Sequence, residues 1–332
     1  SVMLVGMLFL IVWLYSELGG VVPAHQQLTA MKDLVPAKLI EGGHQGWTAF
    51  PVFNSNFWWL SISSLMMGIG LGVLAQPQLL VRFMTIKSSK EINRALVIGA
   101  IFILVVVGTA YIAGALSNVY FFNSSGQIAL DVAKGNVDLI MPKFINTFLP
   151  EWFIYLFLLI LVSAAISTSA AQFHTIGTAL GKDIYEDGVA KKQNLSGSLL
   201  WKRIGIGISI VFTFVLAIWV LPEGIVAIAT AFFFAIAAAT FLAPTIGALF
   251  WRGATASGVN ASMIVGLSTS ILWALFFYGK TATGFGIKPL LPAPWVYMDP
   301  GLIGLPLSLI TMFVVSKFTK PVPKEIVEKS FK

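Results

Sequence analysis

Long apolar runs alternate with shorter polar segments along the whole chain. A helix that crosses a bilayer needs about 20 predominantly apolar residues. About eight such runs stand out, at roughly 1–22, 54–81, 95–118, 151–180, 203–221, 224–250, 257–278 and 300–317, and few of them hold an internal charge. The pattern predicts an all-α membrane protein with about eight transmembrane helices.

The polar segments sort by charge. Arg82, Lys87, Lys90 and Arg94 follow the second run. Lys182, Lys191, Lys192, Lys202 and Arg203 follow the fourth, Arg252 the sixth, and Lys317, Lys320, Lys324, Lys329 and Lys332 end the chain. The alternate segments hold only Lys32, Lys38, Lys134, Lys143, Lys280 and Lys288. Cytoplasmic loops carry the excess of Lys and Arg. The first set, with a tail at 318–332, is therefore expected in the cytoplasm, and the first run enters from the same side. The outer segments 23–53, 119–150 and 279–299 are longer and richer in Pro, Gly and aromatic residues, so short amphipathic or re-entrant pieces are expected there. Asn123-Ser124-Ser125 is formally a glycosylation sequon on that side.

Composition agrees. Hydrophobic residues make up 57% of 332 and charged residues 11%, against about 25% charged in an ordinary soluble domain. The net charge of +7 reports where loops lie, since no basic run interleaved with aromatics suggests a nucleic-acid surface. With no cysteine there is no disulfide framework, thiolate metal site or thiol nucleophile. His25, His44 and His174 show no metal-ligand spacing, and no nucleophile–base pair or phosphate loop is present, so an enzyme is not expected. The chain opens at Ser1 directly into the apolar stretch Val2–Tyr15, without the basic start or cleavage site of a signal peptide. It reads as a sequence that begins inside a transmembrane helix of a longer protein.

Two runs carry candidate chemistry. The second contains Gly68, Gly70 and Gly72, then Gln76-Pro77, and ends at Arg82. Each glycine costs about 1 kcal/mol against Ala in a helix, and Pro77 removes a backbone donor. Broken helices of this kind hold substrates and ions in secondary transporters. A kink, or close packing through small residues, reads the same residues equally well. In the fourth run, Ser163, Ser167, Ala170, His174 and Thr178 share one helix face, with Ala164, Thr168, Ala171 and Thr175 beside it. A small, hydroxyl-rich face suits a hard monovalent cation that takes oxygen ligands and must also leave. It equally suits packing between membrane helices. His174 is either a proton relay or a hydrogen-bonded structural residue. Gly258, Ser262, Gly266 and Ser270 repeat every four residues in the seventh run and predict a helix–helix contact face. Phe232, Phe233 and Phe234 read as lipid-facing or core.

The stretch GIGLGVLAQPQLLVRFMTIKSSKEINRA (68–95) resembles a conserved segment of the sodium:solute symporter family, and SAAISTSAAQFHTIGTALGKDIY (163–185) resembles that family's ion-site helix. The likeness extends through APTIGALFWRGATASG (243–258). It implies a LeuT-type inverted-repeat fold, present in part, from the fifth core helix to the C-terminal peripheral helices, as one transmembrane domain over 1–332. It implies Na+ as coupling ion, held by the Ser167 and Thr168 hydroxyls and the Ala164 carbonyl. Solute contacts fall on Gly68, Ile69, Gly70, Gly72, Val73 and Gln76. Ile69 and Val73 stand where sodium/proline symporters carry Trp and Tyr. An apolar wall there suits a monocarboxylate or pantothenate better than proline or a sugar.

The function implied is sodium-coupled symport of a small organic solute by alternating access, in the plasma membrane. Partners are the solute, the bilayer and preceding helices of the same protein, which complete both sites on the family's map; nucleic acid is not among them. The alternatives are a proton-coupled or sodium-independent transporter of the same fold and a non-transporting solute sensor.

Overall fold

A computed structural model of the chain describes residues 2–77, 79, 80, 85–190, 198–220, 226–284 and 286–330. Arg82, Lys191, Lys192 and Lys332 lie outside the described residues. Among the described residues the secondary structure is entirely helical, and seven helices are long and apolar enough to cross a membrane. In chain order the main helices are α1 (Val2–Glu17), α2 (Val21–Leu34), α3 (Asn56–Leu74), α4 (Ser89–Ser125), α5 (Ile140–Phe148), α6 (Glu151–Gly188), α7 (Leu199–Ile218), α8 (Ala229–Phe250), α9 (Ala256–Phe276) and α10 (Pro300–Phe318). Short helices at Ala37–Glu41, Ala129–Val132 and Gly279–Gly284, together with α5, occupy the segments where such pieces are expected.

The first run differs from its sequence reading. Its helix stops at Glu17 and the chain bends by 71° into α2, so α1 becomes an eighth span only when the bent pair counts as one. The cause is Gly19 and Gly20, at φ 81° and 111°, where side chains are disfavoured. Tyr15 Oη and His25 Nε2, 3.0 Å apart, tie the two sides of the bend. The third run also differs, since α4 outgrows its apolar core at both ends. Ser88 caps it by accepting the Glu91 N–H at 3.4 Å, and Gly126 at φ 72° ends it in the left-handed conformation.

The chain divides into two compact units. The first is Ser1–Met31 with Ile86–Ile225. Here α4 packs on α1 and α2, and α6 on α7 and α1. Phe9 of α1 lies 4.0 Å from Phe153 of α6 by ring centroids, and Phe144 stacks on Phe148 at 4.7 Å within α5. α6 and α7 approach closely where Gly177 and Gly181 face Lys202 and Ile206, and Gly205 faces Leu180. Asn123 sits inside α4 with its Nδ2 donating to Gln27 Oε1 at 2.9 Å.

The second unit is Lys32–Thr85 with Val226–Lys332. Its tightest pair is α9 with α10, and the predicted contact face is the reason: Gly258, Ser262, Gly266 and Ser270 are all buried. Ser308 Oγ donates to the Ser262 carbonyl at 2.9 Å, and Gly304 faces Ser270. At the far end of the pair, the Thr255 N–H donates to Ser316 Oγ at 3.2 Å.

Candidate functional site

The two candidate half-sites fall in different units, the fourth-run face in the first and the broken second run in the second.

On α6, the hydroxyl-rich stretch is held by its two ends. Phe153, Phe157 and Ile160 are buried at one end and Gly177 at the other. The turns between are uncovered: Ser163, Ser167, Thr168 and His174 are exposed and Ala164 is half-buried. Thr168 Oγ1 donates back to the Ala164 carbonyl at 3.0 Å, the usual bond of a helical Thr to the turn before it. That bond sets the Thr168 hydroxyl against the Ala164 carbonyl, and Ser167 is the residue before Thr168. Thr175 and Thr178 repeat the motif, bonding the Ala171 and His174 carbonyls at 2.9 Å each. No carboxylate lies on this face.

On α3, the break takes another form than the glycines alone predict. From Leu60 to Ile69 the helix widens to π geometry, tightens to α over Gly70–Leu74, and breaks at Ala75-Gln76 before restarting at Pro77. The Leu80 N–H donates to the Gln76 carbonyl at 3.1 Å across the restart. π geometry recurs at Ala179–Ala190, Leu216–Val220 and Ala238–Leu242, so among the described residues it is the break at Ala75-Gln76 that sets α3 apart.

The glycines divide by face. Gly72 is buried so closely on α8 that a Cβ would land on the Phe234 carbonyl. Gly68 is buried 3.1 Å, measured from a built Cβ, from the Ser63 carbonyl, and Gln76 is 7% exposed. Gly70 has no neighbour within 4 Å of a built Cβ, and Val73 is 37% exposed. Gly68, Gly72 and Gln76 thus lie on the packed face, and Gly70 and Val73 on the open one, with Ile69 half-buried between them. The packed face leaves a cavity of about 50 Å³ between Leu71, Ala238 and Leu302, room for a water but not for an organic solute.

One polar cluster in this unit is absent from the sequence reading. Asp299, 1% exposed, accepts from Ser64 Oγ at 2.8 Å through Oδ2 and from the Gly301 N–H at 3.0 Å through Oδ1. Its own N–H donates to Ser63 Oγ at 3.2 Å. The signal was local: Asp-Pro ahead of an apolar run is a strong helix start. Its reach to α3 is tertiary and leaves no trace in the sequence.

These features define a multi-pass α-helical membrane protein with a hydroxyl-lined helix and a π-distorted, broken one. The chain belongs to the sodium:solute symporter family, whose profile matches residues 1–266. It is 26% identical over 328 residues to the sodium/pantothenate symporter of Escherichia coli, covering 98% of this chain and 60% of that protein. It is 28% identical to the high-affinity proline transporter of Bacillus subtilis, covering 79% and 50%. With the monocarboxylic acid transporter of Corynebacterium glutamicum it shares 24% identity, covering 90% and 52%. The chain spans 50 to 60% of the length of these relatives.

Proposed function

We propose that the protein is a sodium-coupled symporter of a small organic carboxylate, working by alternating access in the plasma membrane. The observation that carries this reading is the oxygen group on α6. The Ala164 carbonyl and Thr168 hydroxyl lie 3.0 Å apart on an exposed helix face, with Ser167 beside them. Neutral oxygens suit a hard cation, and the lack of a fixed negative charge keeps a monovalent ion releasable. Na+ is the coupling ion in this reading, bound by Ala164, Ser167 and Thr168.

The solute meets the open face of α3. Gly70 lets it approach the backbone, and Ile69 and Val73 supply an apolar wall. The pantothenate, proline and monocarboxylic acid named for the relatives all carry a carboxylate. The apolar wall favours pantothenate or a monocarboxylate over proline. Gly68, Gly72 and Gln76 act from behind by setting the course of the helix.

The fold in this reading is of the LeuT inverted-repeat type, with α1 as the fifth core helix and α9 and α10 as peripheral helices. Residues 1–332 belong to one transmembrane domain, and 318–332 form a cytoplasmic tail. Sodium binding on α6 favours the outward-facing state, solute binds at α3, and both leave on the cytoplasmic side.

The test replaces Ser167 and Thr168 together by Ala in the protein expressed from its complete coding sequence. Uptake of radiolabelled pantothenate, pyruvate and proline is followed against sodium concentration. Removing two oxygens from a charged ligand is expected to raise the sodium concentration for half-maximal uptake by at least about tenfold. Unchanged sodium dependence, or full uptake in sodium-free buffer driven by a pH gradient, would sink the assignment.

A further inference from the structure

Asp299 uses more of its bonding capacity than a helix cap needs. A cap requires only the bond from the Gly301 N–H to Oδ1. Its other oxygen and its own N–H both reach α3, to Ser64 and Ser63, which are each 1% exposed. Both serines lie in the π-helical stretch, and Ser63 Oγ also donates to the Trp59 carbonyl at 2.6 Å. The carboxylate lies beside Gly68, with Oδ1 3.8 Å from a Cβ built there. The approach to Asp299 is fixed as well. Trp273 Nε1 donates to the Met298 carbonyl at 2.9 Å, and Gly301 packs directly on Ala235. Tyr278 Oη, 3.5 Å from Ser64 Oγ, closes the cluster.

We propose that Asp299 is a positioning residue for the binding segment of α3: through Ser63 and Ser64 it ties the π-helical stretch to the start of α10, and so sets the geometry from which Gly70 and Val73 meet solute. The proposal rests on the symport reading above. Among the described residues, no other ionisable group ties α3 to α10 on the N-terminal side of Gly68. The hydrogen bonds register the two helices at one turn, where apolar packing alone allows sliding.

The link has a pH dependence. Burial pushes the Asp299 carboxyl up to about 6, while the Gly301 N–H, the Ser64 hydroxyl and the charge of Lys280 pull it back down. The ionisable groups that face it are Lys280 and Tyr278. The stretches of α3, α8, α9 and α10 packed around the cluster carry none. If the cluster opened to water, the carboxyl would return to about 3.9. The packed arrangement thus binds the proton more tightly than the open one. It is favoured as pH falls through about 6 toward 4 and is held at a cost above that range.

The test uses Ser64→Ala, Asp299→Asn and Asp299→Ala in proteoliposomes at equal pH on both sides. Pantothenate, pyruvate and proline serve as probes, with hydrogen exchange over residues 60–74 measured in nanodiscs. Ser64→Ala is expected to raise solute KM about tenfold with Vmax within about twofold, and to speed exchange in the segment. Asp299→Asn keeps a carbonyl acceptor, so its KM is expected within about threefold of the parent. The parent's rise in exchange and KM from pH 5.5 to 7.5 is expected to vanish in that variant. Asp299→Ala should match Ser64→Ala where it folds. Unchanged KM and exchange in Ser64→Ala, or pH-dependent exchange that persists in Asp299→Asn, overturns the proposal. If the parent takes up no probe with sodium, the symport reading fails instead, and the exchange data still judge the link.

Discussion

Gly70 and Gly72 are two residues apart and do opposite work. Gly72 permits contact between α3 and α8, and any side chain there meets the Phe234 carbonyl. Gly70 touches nothing within 4 Å of a built Cβ. Gly72→Ala is therefore expected to destabilise the protein by about 1–3 kcal/mol through overpacking, seen as a lower midpoint of thermal unfolding in detergent. Gly70→Ala is expected to leave that midpoint unchanged or raise it, since Ala gains up to about 1 kcal/mol of helix propensity. Its cost should appear in solute KM. Equal loss of stability in the two variants would remove the distinction between a packing face and a binding face. In the sequence both glycines lie between apolar residues, so only the structure separates them.

At the scale of elements, α8, α9 and α10 are joined by small residues more than by hydrogen bonds. Gly266 lies against the Ala239 carbonyl, and Gly304 against both Ser270 and Ala239. Hydrogen bonds between membrane helices contribute on the order of 0.6 kcal/mol each. Ser308→Ala, which removes the 2.9 Å bond to the Ser262 carbonyl, should therefore cost less than about 1 kcal/mol. Gly266→Val forces a backbone apart and should cost several times more, measured as loss of folded protein in a detergent unfolding titration. A larger effect from Ser308→Ala would show that polar bonds carry the interface. This contact face was legible in the sequence because a four-residue repeat of Gly and Ser maps directly onto one side of a helix. The form of α3 was not. Glycines announce that a helix is weak, but whether it kinks, widens or breaks depends on what it packs against.

At the scale of the molecule, the distribution of Lys and Arg predicts which loops face the cytoplasm, and the chain's lack of cysteine makes this directly testable. Single cysteines at Asn136 and at Glu325 are expected to behave oppositely in intact cells. The first should react with a membrane-impermeant maleimide, and the second only after permeabilisation. The reverse pattern would invert the topology.

Taken by itself, the sequence determined the class, seven of the spans and the family. Apolar length, charge asymmetry and contiguous motifs are properties of local stretches, and the bilayer imposes its demands on each stretch separately. Helical spacing also marked the hydroxyl-rich face of α6, and the family resemblance singled out Ala164, Ser167 and Thr168 on it as the proposed ion ligands. Tertiary structure alone decided which face of α3 is packed and which is open, that the first run bends at Gly19-Gly20, and that Asp299 reaches Ser63 and Ser64. The last joins residues 235 and 236 positions apart in the chain. No local pattern encodes such a pairing, since a buried carboxylate takes whichever donors the packed helices bring to it.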